Sequence, residues 1–243
     1  PRAAVLLDRV TAGYFHADVF RTWVALDQGD ADSAIRLAQR GMTRSGTKTG
    51  VDRYNFYVPL AVAQMQAGRR ASALALLREA SRVPLDDIAN IPPVDLIDRI
   101  VTTQAAALVA LRLGDRQLAK AVPERIALLK GVPPSRLVDE MNAVLAAERL
   151  RLDGRPKDAL HHLAPYIGEQ SRLQVRVSAL QAARDAGDTL GVAQHATWLR
   201  DKAGLAYAEV ECSYCLQALN VLDVRRIAGD PATLPPAAAR GRP

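Results

Sequence analysis

The chain has 243 residues, of which 49% are hydrophobic, 24% charged and only 5% aromatic, a balance that excludes a disordered or fibrous protein and suits one folded unit with a sizeable core. The 32 Lys and Arg outnumber the 26 Asp and Glu, giving a net charge of +6. These basic residues are spread along the chain and interleaved with acids, which argues against the clustered stripe that nucleic-acid binding needs.

Alanine and leucine dominate, and both are strong helix formers. Few stretches show the period-two alternation of exposed strands. The expected fold class is therefore all-α. The longest strongly apolar uncharged run, residues 101–111, falls well short of the about 20 residues a membrane-crossing helix takes. No signal peptide is recognisable. The chain starts at Pro1 and not at a methionine, so a fragment or a processed form is expected. A cytoplasmic setting follows, or a periplasmic one if an anchor precedes Pro1.

In chain order, residues 3–14 fit a short helix with Val5, Leu6 and Val10 on one side. A first hairpin follows: residues 19–27, a Gly29-Asp30 turn, then residues 32–42, with Asp32 as the expected cap. Residues 45–50 form a polar loop. Its Gly46-Thr47-Lys48-Thr49 lacks the preceding strand and the spacing of a phosphate-binding loop. Tyr54-Asn55-Phe56-Tyr57 is the one dense aromatic cluster and opens a second hairpin running to about residue 82, with the aromatics read as core. Residues 84–93 are a proline-punctuated connector, read as a protruding insertion with a turn of helix at 86–89. Residues 94–113 form a long helix ended by Gly114, and residues 116–130 a helix broken at Val122-Pro123, since proline removes a backbone donor and clashes with the preceding turn. Pro133-Pro134-Ser135 starts the next long helix. Residues 171–186 and 190–203 form a fifth hairpin around Gly187. Residues 206–219 and 220–227 read as two final helices or one, capping the last hairpin's apolar face. The helical unit thus spans 1–229, and residues 230–243, rich in proline, alanine and arginine, are expected to be a disordered tail.

One pattern recurs. Gly29, Gly68, Gly114, Gly154 and Gly187 each close a helical run. Five residues after the first four comes an alanine: Ala34, Ala73, Ala119 and Ala159; after Gly187 the position is Val192. Seven residues before each glycine stand Thr22, Ala61, Ala107, Ala147 and Leu180. Glycine stops a helix by taking positive φ, and small residues on both sides of the turn let the two helices approach. Over residues 15–203 this resembles the tetratricopeptide repeat, although the glycines are 39, 46, 40 and 33 residues apart where that repeat has about 34. The resemblance implies an α-solenoid of antiparallel hairpins, about 10–13 helices in all, binding a protein or peptide along a concave face. The other reading of the same residues is an irregular helical bundle. Residues 204–227, with Ala206-Tyr207-Ala208-Glu209 and Leu219-Asn220-Val221-Leu222-Asp223, are similar to the C-terminal end of repeat regions appended to bacterial cyclases and transcription regulators. That implies a sensory or regulatory region of a larger protein.

In such arrays the first helix of each pair lines the inner face. Counting back from each glycine places Val19, Trp23, Asn55, Val62, Gln104, Arg112, Glu148, Arg151, Gln174, Gln181 and Arg184 there. Arginines on that face either grip a partner's acidic groups or pair with acids of the next hairpin, such as Glu148. The lysine–asparagine clamp of some peptide-binding members is absent, which argues against capture of C-terminal peptides. Cys212-Ser213-Tyr214-Cys215 fits buried core cysteines, a redox pair or half a metal site, but the chain holds no second pair to complete four zinc ligands. His161 and His162, about 100° apart on a helix, cannot share one metal; we expect one to face the neighbouring hairpin and one solvent. No nucleophile–base–acid arrangement is defensible, so neither catalysis nor a cofactor or metal is expected.

Overall fold

A computed structural model describes residues 16–45, 50–85, 90–209 and 215–229. Residues 3–14, the Gly46–Thr49 stretch, the expected turn at 86–89, Cys212 and the 230–243 tail lie outside them. The described residues are all-helical, with no strand among them: α1 His16–Gln28, α2 Ala31–Arg44, α3 Gly50–Gln66, α4 Arg70–Ala80, α5 Pro93–Arg112, α6 Arg116–Ala127, α7 Arg136–Leu152, α8 Pro156–Leu163, α9 Leu173–Asp185, α10 Thr189–Asp201, the one-turn α11 Leu205–Ala208, and α12 Gln217–Gly229. None is long and apolar enough to cross a membrane.

One turn, used five times, builds the hairpins. At Gly154, with φ of 78°, the Gly154 N–H donates to the Arg151 carbonyl at 3.1 Å and the Arg155 N–H to Leu150 at 2.9 Å. That is the Schellman pattern, which satisfies carbonyls the helix end leaves open. The same two bonds close α1, α3, α5 and α9. At three of the five turns the side chain of the residue after the glycine then caps the next helix: Asp30 accepts from the Ser33 N–H at 2.9 Å, Asp115 from Leu118 at 3.1 Å and Asp188 from Gly191 at 2.9 Å. Asp32 thus lies within the first turn of α2 and is not its cap. Two residues stop one helix and start the next, so the paired helices must run antiparallel. The small positions predicted at the crossings, Thr22, Ala34, Ala61, Ala73, Ala107, Ala119, Ala147 and Ala159, are all buried.

Proline departs from expectation. Pro123 lies inside an unbroken α6, whose Ala119, Val122 and Ile126 are buried. Pro59 lies inside α3. Loss of one backbone bond is outweighed by the packing of the whole helix. The start of the 84–93 connector is pinned: Val83 and Leu85 are buried, and Arg125 donates to the Ser81 and Val83 carbonyls at 2.6 and 2.7 Å.

Each second helix packs between its own partner and the first helix of the next hairpin, while α1, α3, α5, α7 and α9 touch in sequence. Arginines tie one turn to the next at nearly constant separation. Arg69 meets Asp32 at 2.8 Å, Arg78 meets Asp115 at 3.0 Å and Arg116 meets Asp153 at 2.5 Å, each 37 residues apart. The end of the chain brings the main surprise. Among the described residues the helix expected over 206–219 is interrupted: α11 is a single turn that ends before Glu209, and α12, which starts at Gln217, packs on α9, α10 and α11 and also on α1 and α3. The last helix therefore returns to the first, and does not merely cover the last hairpin.

Candidate binding groove

Helix α12 lies against the row of first helices that would line a groove. Residues 217–223 are buried without interruption, so every face of this stretch is covered. Gln217, Asn220 and Asp223 recur every three residues and share one face. That polar face meets polar partners. Arg112 of α5 donates through Nη1 to Asp223 Oδ2 at 2.7 Å and through Nη2 to Gln174 Oε1 of α9 at 2.8 Å. Gln174 Nε2 donates to Asn220 Oδ1 at 2.8 Å and to Asp223 Oδ2 at 3.0 Å. Near the other end, a Cβ on Gly29 would collide with the guanidinium of Arg225. The turn between α1 and α2 is therefore open enough to seat that group.

Most of the groove candidates are buried. Trp23, Asn55, Gln104, Glu148 and Gln181 are buried, as are Val19, Val62 and Gln174. Trp23 packs edge-on against Phe20, ring centroids 5.0 Å apart. Gln104 bridges α5 to α7, donating to the Val138 carbonyl and to Asn142 Oδ1 at 3.0 and 2.8 Å. Arg151 joins α7 to α9: it holds Glu148 Oε2 at 2.8 Å and Asp185 Oδ2 at 2.8 Å, and Ser178 Oγ donates to the other Glu148 oxygen at 2.9 Å. Burial alone would lower the Arg151 pKa, but Glu148 and Asp185 more than offset that and raise it. Arg184 is half-buried near the end of α9. Of the two roles open to the groove arginines, Arg112 and Arg151 take internal pairing.

Other residues were not singled out by the sequence. Glu140 of α7 is buried between two arginines, and Glu209 ends α11 with its carboxyl held by the Leu173 N–H at 2.8 Å. Burial, with Glu140 nearby, pushes Glu209 up to about 7. Spacing gave no signal for either, since their partners come from distant helices. Cys215 is buried; Cys212 lies outside the described residues, and no cluster of metal-ligating side chains occurs among the described residues. His161 and His162 are both exposed, against the expectation that one faces its neighbour, because short α8 buries only Ala159 and Leu163.

His195 on α10 is buried, and its Nδ1 lies 3.2 Å from Arg176 Nη1. Arg176 also stacks over Trp198, 4.7 Å from the ring centroid, and donates to the Gly168 carbonyl at 2.7 Å. Burial lowers the His195 pKa, the Arg176 charge lowers it further, and Asp188 partly opposes. Below about pH 6.5, the ordinary histidine value, the unfolded chain takes up a proton that the folded chain refuses. Stability then falls as pH falls. Urea midpoints of His195→Gln between pH 7 and pH 5 are expected to decline less steeply than those of the parent. An unchanged slope would remove His195 from the acid response.

Comparison with known proteins gives no match: no protein-family model, curated protein or solved structure is similar to the chain.

Proposed function

We propose that the protein is a non-catalytic helical-repeat module, tetratricopeptide-like, that holds a helical protein or peptide segment along its row of first helices. In this reading α12 is such a segment, supplied by the chain itself. The observation that supports it is the uninterrupted burial of residues 217–223 against those helices, with a polar ladder facing Arg112 and Gln174. A partner would offer the same chemistry: an amide and an acid three residues apart on a helix, flanked by leucine or valine. Arginine favours the carboxylate, since its planar fork fits that group. A tethered occupant competes at an effective concentration in the millimolar range, so the groove is closed to weak partners by default. That default suits the second reading, a regulatory region of a larger signalling protein, in which release of α12 is the signal.

Exchange is the test. A labelled peptide of residues 217–229 is titrated with the full chain and followed by fluorescence anisotropy. Asp223→Asn in the chain weakens the tethered copy without emptying its space. That chain is expected to bind the peptide at least fivefold more tightly than the parent does. No gain in a variant of unchanged helicity would end the exchange reading.

A further inference from the structure

A second site lies outside the groove, in a cleft of about 620 Å3 between the start of α7, the segment leading into α9, and α10–α11. We propose that this cleft binds a small zwitterion of the amino-acid or short-peptide class. Six charged side chains line it: Arg136, Arg172 and Lys202 against Glu140, Glu169 and Glu209. Balanced charge around one cleft fits a ligand carrying both signs. The volume lies within the range of about 300–1,000 Å3 typical of small-molecule sites, and Leu205 and Ala208 add apolar wall for a side chain.

The two signs are placed differently. Buried Glu140 accepts from Arg136 Nε on one oxygen and forms an ion pair with Arg172 Nε on the other, each at 2.8 Å. One carboxylate thus serves two guanidiniums, leaving a net positive wall, and Lys202 adds a further charge. Arg136 is 62% exposed and spends only its Nε on Glu140, so its outer fork is available to a ligand carboxylate. The acidic end is Glu209. Its Oε1 accepts from the Leu173 N–H at 2.8 Å and its Oε2 from Asn220 Nδ2 at 3.2 Å, which fixes its carboxyl in the wall. Arg172 faces Glu209 but is also paired with Glu140, and burial still pushes the Glu209 carboxyl up to about 7; a ligand ammonium entering the cleft brings it a cation of its own. The groups facing Glu209 are Glu140 from α7, Arg172 ahead of α9 and Asn220 from α12.

The probe is a panel of unmodified dipeptides (Ala-Ala, Ala-Leu, Ala-Lys and Ala-Glu) titrated into the full chain by calorimetry. N-acetyl-Ala-Ala and Ala-Ala-amide serve as probes of a single charge. At least one unmodified dipeptide is expected to bind saturably with one site per chain, and removing either terminal charge is expected to weaken binding tenfold or more. Arg136→Ala, at an exposed position, is expected to weaken it to a similar degree. Affinity is expected to rise as pH is raised from about 6 to 7.5, because the ammonium needs Glu209 ionised, and Glu209→Gln is expected to flatten that rise. No saturable binding by any dipeptide overturns the proposal. So does N-acetyl-Ala-Ala binding as well as Ala-Ala, which would mark a plain carboxylate site, or an affinity indifferent to Arg136→Ala.

Discussion

Replacement of Asp223 by alanine is expected to destabilise the chain by about 3–5 kcal/mol, the usual cost of removing one partner from a buried ion pair. Asp223 is 1% exposed, and the side chain of Arg112 is 6% exposed. Without the carboxylate, the Arg112 guanidinium keeps Gln174 Oε1 but has no hydrogen-bonded counter-charge among the described residues. Arg226, whose pKa burial already lowers, loses its attraction to Asp223 while still facing Arg112. The pair as a whole is another matter, because charges taken out of water gain little over apolar groups of equal volume. Arg112→Met with Asp223→Leu is therefore expected to recover most of the loss. By contrast, Asp32→Ala breaks the Arg69–Asp32 pair, whose side chains are 50% and 67% exposed, and is expected to cost under about 1 kcal/mol. Urea unfolding, followed by the fluorescence of Trp23 and Trp198 and by helicity, measures all three. A single Asp223→Ala change costing no more than Asp32→Ala would show that α12 is not held by this charge.

The hairpins were legible because their physics is local. Glycine's positive φ and its two carbonyl bonds lie within six residues, so Gly29, Gly68, Gly114, Gly154 and Gly187 mark turns without knowledge of any distant contact. Alanines at the crossings follow from the same local geometry. The groove was legible only as a list of positions. The side chains of Trp23, Gln104, Arg112 and Arg151 are buried, but sequence left their partners open between a ligand and the chain itself. The deciding contact, Arg112 to Asp223, joins residues 111 apart. Nothing in α12 announces that destination. Gln217, Asn220 and Asp223 at helical spacing look like a solvated face, and only the facing polar groups of α5 and α9 turn them into an interior ladder. Pro123 misled for the opposite reason: a strong local rule lost to the burial of Ala119, Val122 and Ile126 on the same helix. Glu140 and Glu209 had no local signal at all, because burial and the convergence of α7, α9, α11 and α12 make them unusual.

Where α2 crosses α3, two substitutions of opposite size are expected to destabilise for opposite reasons. Gly41 lies inside α2, and a Cβ built on it would penetrate the ring of Phe56, which is fully buried on α3. In an exposed helix, Gly→Ala gains about 1 kcal/mol. Here overpacking costs about 1–3 kcal/mol or more, so Gly41→Ala is expected to be net destabilising. Phe56→Ala empties the same space from the other side and is expected to cost about 3–5 kcal/mol. If the two groups compete for one volume, their effects cannot add. Gly41→Ala combined with Phe56→Leu is expected to be more stable than the sum of the two single changes predicts, by about 0.5–3 kcal/mol. Additive losses in that cycle, or a stabilising Gly41→Ala, would mean that the first two hairpins are not pressed together at this crossing. The missing side chain at Gly41 is what lets Phe56 of α3 reach the backbone of α2, and it couples the first hairpin to the second as the turn glycines couple helices within each one.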